Sequence, residues 1–393
     1  MIIYNKEWLD NLLVHEQVDA EQRAGSITPA EVTAIKMQYP VGFYMPNVFV
    51  RVGLFILACI IGLSSTGVLG LIAEGMIQHN GYVLSFLIGI AAYILLEIMV
   101  KSNKYYGSGV DDALLWITFG SFTGGFMWFV YSLDTTYQAD HYLSTSIFVF
   151  LLGLYLTLRF ADNVMSALTC LALFAVVYFA GKSLGSVGIT IMPFLMIAAS
   201  AAAYFVIGRL HRDPVSLYYR DCLADAKIVS LAVLYAAGNY YVVDQLSAMI
   251  NGPSKGGIPL GFFFWGWTIV MPLVYIGFGI KKKDTMLLRM GIFLVEAAVA
   301  TFRYYYHVIP AEWALMLGGC ILLAIVYSLV RYLKTDKYGF TYADINNTEL
   351  SDSIKIESLI TAATFSHTTD APVKPEDRFG GGSFGGGGSS SNY

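Results

Sequence analysis

The stretch from Val48 to Ala73 reads VFVRVGLFILACIIGLSSTGVLGLIA, and Arg51 is its one charged residue. A helix needs about 20 predominantly apolar residues to cross roughly 30 Å of hydrocarbon. Blocks of similar length recur as far as Leu333, and the 393-residue chain is 56% hydrophobic and 13% charged, with a mean hydropathy of +0.60. Soluble domains carry roughly 25% charge. The composition therefore excludes a typical soluble enzyme and predicts an all-α, polytopic transmembrane helical bundle.

About ten spans are predicted between residues 48 and 333. They are 48–73, 82–100, 113–131, 143–160, 163–181, 187–208, 227–250, 258–280, 285–303 and 312–333. Basic residues orient them, since 18 Lys and Arg fall on one side and only Lys182, Lys255 and Arg303 on the other. By the positive-inside rule, both termini face the cytoplasm. The short turns at Ala161–Asp162 and around Lys182 are the places where two spans could merge.

Polar segments flank this bundle. Residues 1–47 are predicted to form a cytoplasmic amphipathic helical hairpin, whose second helix starts with a capping pattern of Thr28, Pro29 and Glu31. Residues 334–393 are predicted to be a largely disordered cytoplasmic tail with a Gly/Ser-rich end. Two interpretations of that end stay open, a flexible terminus and a docking or processing tag.

Several kinds of function are disfavoured. The formal charge of -4 gives no basic surface for nucleic acid. The four cysteines lack paired spacing, and the outer histidines His79, His141 and His307 lack the spacing of a local metal motif, so no metal or other cofactor is predicted. No recognisable catalytic motif is present, which disfavours an enzyme. The expected surroundings are a lipid bilayer, and the hairpin and tail are candidate contacts for protein partners.

Ionisable groups inside spans are the best candidates for function, because each costs about 2.5–3.5 kcal/mol at the helix centre. Glu296 is the deepest, and Arg289 and Arg303 lie seven residues before and after it on one helix face. This stripe is either a proton or ion relay, a clamp for an anionic substrate, or a set of interhelical salt bridges. Asp244 and Asn239 add polarity to the seventh span.

Two pairings and one packing motif are also expected. Asp244 is placed to pair with Arg303, and Glu97 with Lys101 at i+4 near the inner boundary. Gly120 and Gly124 form a GxxxG motif that permits close helix approach.

Both ends of the chain resemble known bacterial sequences. The hairpin ending in Tyr39-Pro40 and running into Arg51-Val-Gly-Leu-Phe resembles the start of a group of bacterial multi-pass proteins known only as a domain of unknown function. The ending Phe-Gly-Gly-Gly-Ser-Phe-Gly-Gly-Gly-Gly is similar to tails of bacterial membrane proteins, including some that carry a periplasmic TPM domain. The resemblance implies a bacterial inner membrane and no assigned chemistry.

Two functions follow from these features. One is an ion- or proton-coupled transporter of a small solute, indicated by the charges within the spans. The other is a membrane assembly or envelope scaffold that acts through the hairpin and the Gly-rich tail.

Overall fold

The computed structural model describes residues 2–23, 25–72, 74–133, 138–251 and 258–306, together with positions 316, 320, 323, 327 and 331. In this part of the chain the structure is helical and contains no β-strand beyond one isolated bridge between Tyr44 and Tyr105. The helices are α1 (Lys6–Arg23), α2 (Pro29–Gln38), α3 (Val48–Ile72), α4 (Glu74–Lys101), α5 (Val110–Leu133), α6 (Gln138–Phe160), α7 (Asn163–Ser183), α8 (Gly185–Leu210), α9 (Arg220–Gly238), α10 (Tyr240–Asn251), α11 (Gly261–Lys282) and α12 (Thr285–Tyr305). A 3-10 turn, Pro214–Tyr219, precedes α9. The predicted all-α class is confirmed.

Eight of the described helices, α3 to α8 with α11 and α12, are long and apolar enough to cross a membrane. The bent pair of α9 and α10 makes a ninth if it counts as one span. These nine coincide with the first nine predicted spans, so the chain is a multi-pass membrane protein. The predicted tenth span, 312–333, lies outside the described residues except for five isolated positions, and so does the whole tail, 334–393.

The seventh predicted span, 227–250, is not one helix. α9 ends at Gly238, α10 begins at Tyr240, and the two helices are bent by 71°. Asn239 is extended between them, and its Oδ1 accepts a hydrogen bond from the amide of Val242 at 3.2 Å, which caps α10. The expectation of a continuous helix is therefore corrected, because an extended residue interrupts it and a side-chain cap starts a new one.

Both short turns separate real helices. Ala161 adopts a positive φ of 49° after α6, and the Asp162 carboxylate then accepts from the Met165 amide at 2.7 Å, which starts α7. α7 ends at Ser183, and α8 begins at Gly185, which has a φ of 70°. The spans on either side of each turn do not merge.

Buried side chains join neighbouring helices in three clusters. The first links α4, α5, α6 and α7 and consists of Leu96, Val100, Leu115, Leu156, Phe160 and Met165. The second links α9, α11 and α12 and consists of Leu231, Tyr235, Tyr275, Leu287 and Leu294. The third joins α7 to α9 through Cys170, Phe174 and Ala226. Each cluster thus joins two to four helices, and α7 and α9 each contribute to two of the three.

Close approach between helices occurs at glycines other than the predicted pair. A Cβ added to Gly279 of α11 would lie 2.8 Å from the Leu288 backbone nitrogen of α12. At Gly120 and Gly124 an added Cβ would meet no atom within 4 Å. Within the described residues, no helix packs closely against the GxxxG motif of α5, because both of its glycines lie on an exposed helix face.

The described residues divide into two compact units, and residues 17–33 of the hairpin belong to the smaller one. In that unit Gly25, with φ of 74°, makes the turn after α1. The predicted capping box is present: the Thr28 amide donates to Glu31 Oε2 at 2.8 Å, and the Glu31 amide donates to Thr28 Oγ1 at 3.4 Å. In the larger unit, the indole of Trp8 packs against Phe43, and Lys104 Nζ lies 4.8 Å above it.

Candidate functional site

A cavity of about 360 Å³ lies where the first residues of α5, α7 and α9 meet the first turn of α3. We call this end of the bundle the basic end, because most of the Lys and Arg residues flanking the predicted spans lie on this side. Four carboxylates, one guanidinium and four aromatic rings contribute to the lining: Asp111, Asp112, Asp162, Asp221, Arg51, Tyr4, Tyr106, Phe160 and Tyr218. The charged groups of the lining are thus carboxylates and one guanidinium, which can bind a ligand by charge and by hydrogen bonds.

The electrostatics of the cavity are set by the side chains and by helix ends. The charged lining residues, four carboxylates and one guanidinium, have a net formal charge of -3. Each helix N-terminus carries an equivalent of about +0.5 charge, so the three helix starts together offset about half of that value. The cavity remains negative, which favours a cation.

The Asp111 carboxylate is fixed by its own turn. Ser108 donates to Asp111 Oδ1 from its amide and its hydroxyl, both at 2.8 Å, and both residues are buried. Between them in sequence, Gly109 has φ of 94°, and a Cβ there would lie 2.1 Å from the Arg51 carbonyl oxygen. Only glycine permits this contact between the turn and α3. The first turn of α5 is therefore rigidly placed beside the cavity.

Asp112 pairs with the cation in the lining. Arg51 Nε and Nη2 both donate to Asp112 Oδ2, at 3.0 and 2.8 Å. The charge of Arg51 is thus directed at one carboxylate. Asp162 and Asp221 form no ion pair within the part of the chain that the structure describes.

Asp162 caps a helix, and its charged form is also disfavoured by its surroundings. Its Oδ1 accepts the Met165 amide, as an N-cap residue does. Burial raises the pKa of Asp162, and the nearby charges of Asp112 and Asp111 add to that rise, whereas the Met165 hydrogen bond and the charge of Arg51 oppose it. A cation in the cavity would lower the pKa of Asp162, because an opposite charge favours the ionised carboxylate.

Aromatic rings form the other walls. Tyr4 and Tyr106 meet edge to face with ring centroids 4.9 Å apart, and the Tyr218 hydroxyl donates to Asp10 at 2.9 Å. Burial raises the pKa of Tyr4 and of Tyr106, and the charge of Asp111 raises that of Tyr4 further. Both remain neutral phenols at neutral pH. Aromatic faces next to carboxylates can hold an organic ammonium group through cation–π contact.

Comparison with known proteins gives no match. No family model fits the chain, and no curated protein or solved structure is significantly similar to it. The resemblance of the two chain ends to bacterial membrane proteins therefore stays a prediction.

The predicted stripe of α12 does not converge with other ionisable side chains. Glu296 and Arg289 are exposed and Arg303 is partly exposed, and no hydrogen bond or ion pair joins the three within the described residues. Asp244 does not pair with Arg303, because it accepts a hydrogen bond from the Tyr305 hydroxyl instead.

Asn239 belongs to a buried polar network at the break between α9 and α10. Its Nδ2 donates to the Tyr235 hydroxyl at 3.0 Å and to Thr301 Oγ1 at 3.1 Å. The Tyr240 amide, which the break leaves without a helical partner, donates to Thr268 Oγ1 at 2.9 Å. A side chain from α11 thus satisfies the interrupted backbone, and one from α12 holds the Asn239 side chain.

The expected pairing of Glu97 with Lys101 is confirmed at 2.7 Å. Arg159 of α6 also contacts Glu97, at 2.7 Å, and Tyr93 donates to it from one turn earlier. Glu97 therefore ties α4 to α6 and has a structural role.

Sequence reasoning missed the cavity because it ranked charges by depth within the spans. One signal was present: Asp111, Asp112, Asp162 and Asp221 all stand at or near the starts of helices that begin at the basic end. In the described part of the chain, no group of three His, Cys, Asp or Glu side chains is arranged to hold a metal ion.

Proposed function

We propose that this protein is a membrane transporter for a small organic cation, which binds in the cavity at the basic end. The cavity carries the proposal. It lies at one end of a bundle of membrane-spanning helices and continues from the buried cluster of Leu96, Leu115 and Phe160. Its volume of about 360 Å³ is within the range of small-molecule sites.

The chemistry of the lining supports an organic cation over a metal ion or an anion. Unpaired carboxylates provide charge, and Tyr4, Tyr106 and Phe160 provide apolar and π surface. A divalent metal would need three or more converging ligand groups, and the described residues hold no such set. An anion would meet the net negative charge.

The break between α9 and α10 supports transport over static binding. Discontinuous transmembrane helices are common in secondary transporters, where the interrupted backbone allows one part of the bundle to move against another. Here the 71° bend follows Gly238, and α9 extends from the break to the cavity, where it contributes Asp221. Movement at the break would therefore reach the cavity through one rigid helix.

We place the protein in a bacterial inner membrane with the basic end in the cytoplasm. The excess of basic residues on that side and the resemblance of the chain ends support this location. In this orientation the cavity opens toward the cytoplasm.

Uptake into proteoliposomes tests the proposal. Purified protein is reconstituted, and accumulation of labelled primary, secondary and quaternary ammonium compounds is compared with that of protein-free liposomes. We expect at least one compound to accumulate with the unaltered chain and Asp162→Asn to abolish that accumulation.

Asp213→Asn is the matched control. Asp213 also caps a helix at the basic end through the Val215 amide, but it does not line the cavity. Uptake by this variant should equal that of the unaltered chain. Failure of every compound to accumulate, or equal loss in both variants, would refute the proposed function.

A further inference from the structure

One face of α12 places a carboxylate where hydrocarbon would surround it. Glu296 is the twelfth of 21 residues in Thr285–Tyr305, so it lies near the middle of the span. Its side chain is exposed, and no described residue donates a hydrogen bond to it. A charged or unsatisfied carboxyl is costly at this depth. A polar group outside the described residues must therefore cover it in the membrane.

The residues around Glu296 form a helix-packing seam. Ile292, Phe293 and Val299 are exposed to 48, 62 and 61% and share its face at offsets of three and four residues. Arg289 and Arg303 repeat at seven residues on either side. Between the two arginines the seam is apolar except for Glu296, and a central polar residue in an apolar seam can fix the register of paired helices.

We infer that this seam binds the same seam of a second copy of this chain. Both copies insert with the same orientation, so a twofold axis along the membrane normal sets the two α12 helices parallel. Glu296 then faces Glu296 of the other copy at equal depth. The two carboxyl groups can then share a hydrogen bond across the axis, and neither is left without a partner.

The segment that follows α12 in the same chain is a poorer partner for this seam. If residues 312–333 cross back beside α12, the residues that reach the depth of Glu296 are those about nine positions into the segment. From Gly318 to Leu322 the sequence is GGCIL, which offers only the weak thiol donor of Cys320. Self-association satisfies the carboxyl better.

Cysteine crosslinking in native membranes tests the inference. Membranes that contain the full-length chain with Val299→Cys are treated with an oxidant. Membranes with Ile269→Cys on α11 are treated in the same way, as the control. Ile269 is similarly exposed, at 54%, and at about the same depth, within roughly 3 Å by the rise per residue. We expect a disulfide-linked dimer from V299C and none from I269C or from the unaltered chain.

Two further arms make the result decisive. In the V299C chain, an intramolecular disulfide with the native Cys320 would show that the chain's own segment covers the seam, and this would overturn the inference. The double variant V299C with Cys320→Ser cannot form this intramolecular disulfide. If the double variant is folded and still gives no dimer, the inference is overturned as well.

Single-molecule photobleaching in liposomes measures the contribution of Glu296 itself. Glu296→Gln retains a donor and an acceptor and should preserve the dimer fraction. Glu296→Leu should weaken dimerisation about fivefold, the scale of one interhelical hydrogen bond in a membrane. Equal dimer fractions in the two variants, with unchanged helix content by circular dichroism, would exclude the carboxyl pair.

Discussion

Asp162 performs two roles that one substitution can separate. As an N-cap it holds the first turn of α7, and as a buried carboxylate it contributes charge to the cavity. Asparagine caps a helix about as well as aspartate, whereas alanine does not. Asparagine therefore removes the charge and keeps the cap, whereas alanine removes both.

The free energy of unfolding should distinguish Asp162→Asn from Asp162→Ala. The pKa of Asp162 is raised in the folded protein, so the stability that this group contributes is present below its unfolded pKa and is lost as the pH rises through the folded pKa. At neutral pH the asparagine variant should be at least as stable as the unaltered chain. The alanine variant should lose about 1 kcal/mol. Thermal melting in detergent checks both, and a large loss in the asparagine variant would contradict the assignment.

The contacts of single residues were predictable from sequence when both partners were close along the chain. The capping box of Thr28 and Glu31 and the pair of Glu97 and Lys101 are both local. The pairing of Asp112 with Arg51 joins residues 61 positions apart, and sequence spacing carries no information on it. For the same reason the cavity was not predictable.

At the scale of elements, hydropathy predicted where helices lie but not how they meet. A span needs about 20 apolar residues whatever its neighbours are, so nine spans were predictable from composition alone. The break after Gly238 depends on two other helices: Thr268 accepts from the interrupted backbone, and Thr301 accepts from the Asn239 side chain. Such support is visible only in the folded bundle.

The contact between α11 and α12 gives a test at this scale. Gly279→Ala would place a methyl group 2.8 Å from the Leu288 backbone nitrogen, and neither backbone can yield without separating the helices. We expect a loss of about 1–3 kcal/mol, the usual cost of overpacking.

Gly120→Ala is the matched control, because its new methyl group meets no atom within 4 Å. It should leave the melting temperature unchanged or slightly higher, since alanine favours helix. The retained soluble fraction after heating in detergent measures both variants. Equal destabilisation of the two would contradict the helix packing described above.

At the scale of the whole molecule, the distribution of charge orients the bundle. The chain is only 13% charged, and 18 basic residues fall on the predicted inner side against 3 on the other. This asymmetry predicts the side of the membrane on which each connection lies. With this predicted orientation, the cavity faces the side of the membrane that holds most of the basic residues.

Labelling of introduced cysteines with a membrane-impermeant maleimide tests the orientation in intact cells. Leu260→Cys, just before α11, should react from outside, whereas Lys283→Cys, between α11 and α12, should react only after lysis. The unaltered chain corrects for its four native cysteines. The opposite labelling pattern would invert the topology and turn the cavity outward.

Equilibrium binding of a labelled ammonium compound to the purified protein, followed through an acid titration, tests the central claim most directly. The ionised form of Asp162 attracts the cation, and its raised pKa means that protonation begins at a higher pH than for an ordinary aspartate. We predict that binding to the unaltered chain and to Asp213→Asn is lost as the pH falls through that raised pKa. Asp162→Asn should bind at least about tenfold more weakly at neutral pH. Equal affinity of Asp162→Asn and the unaltered chain, or binding that persists in acid, would contradict the assignment of the cavity as the cation site.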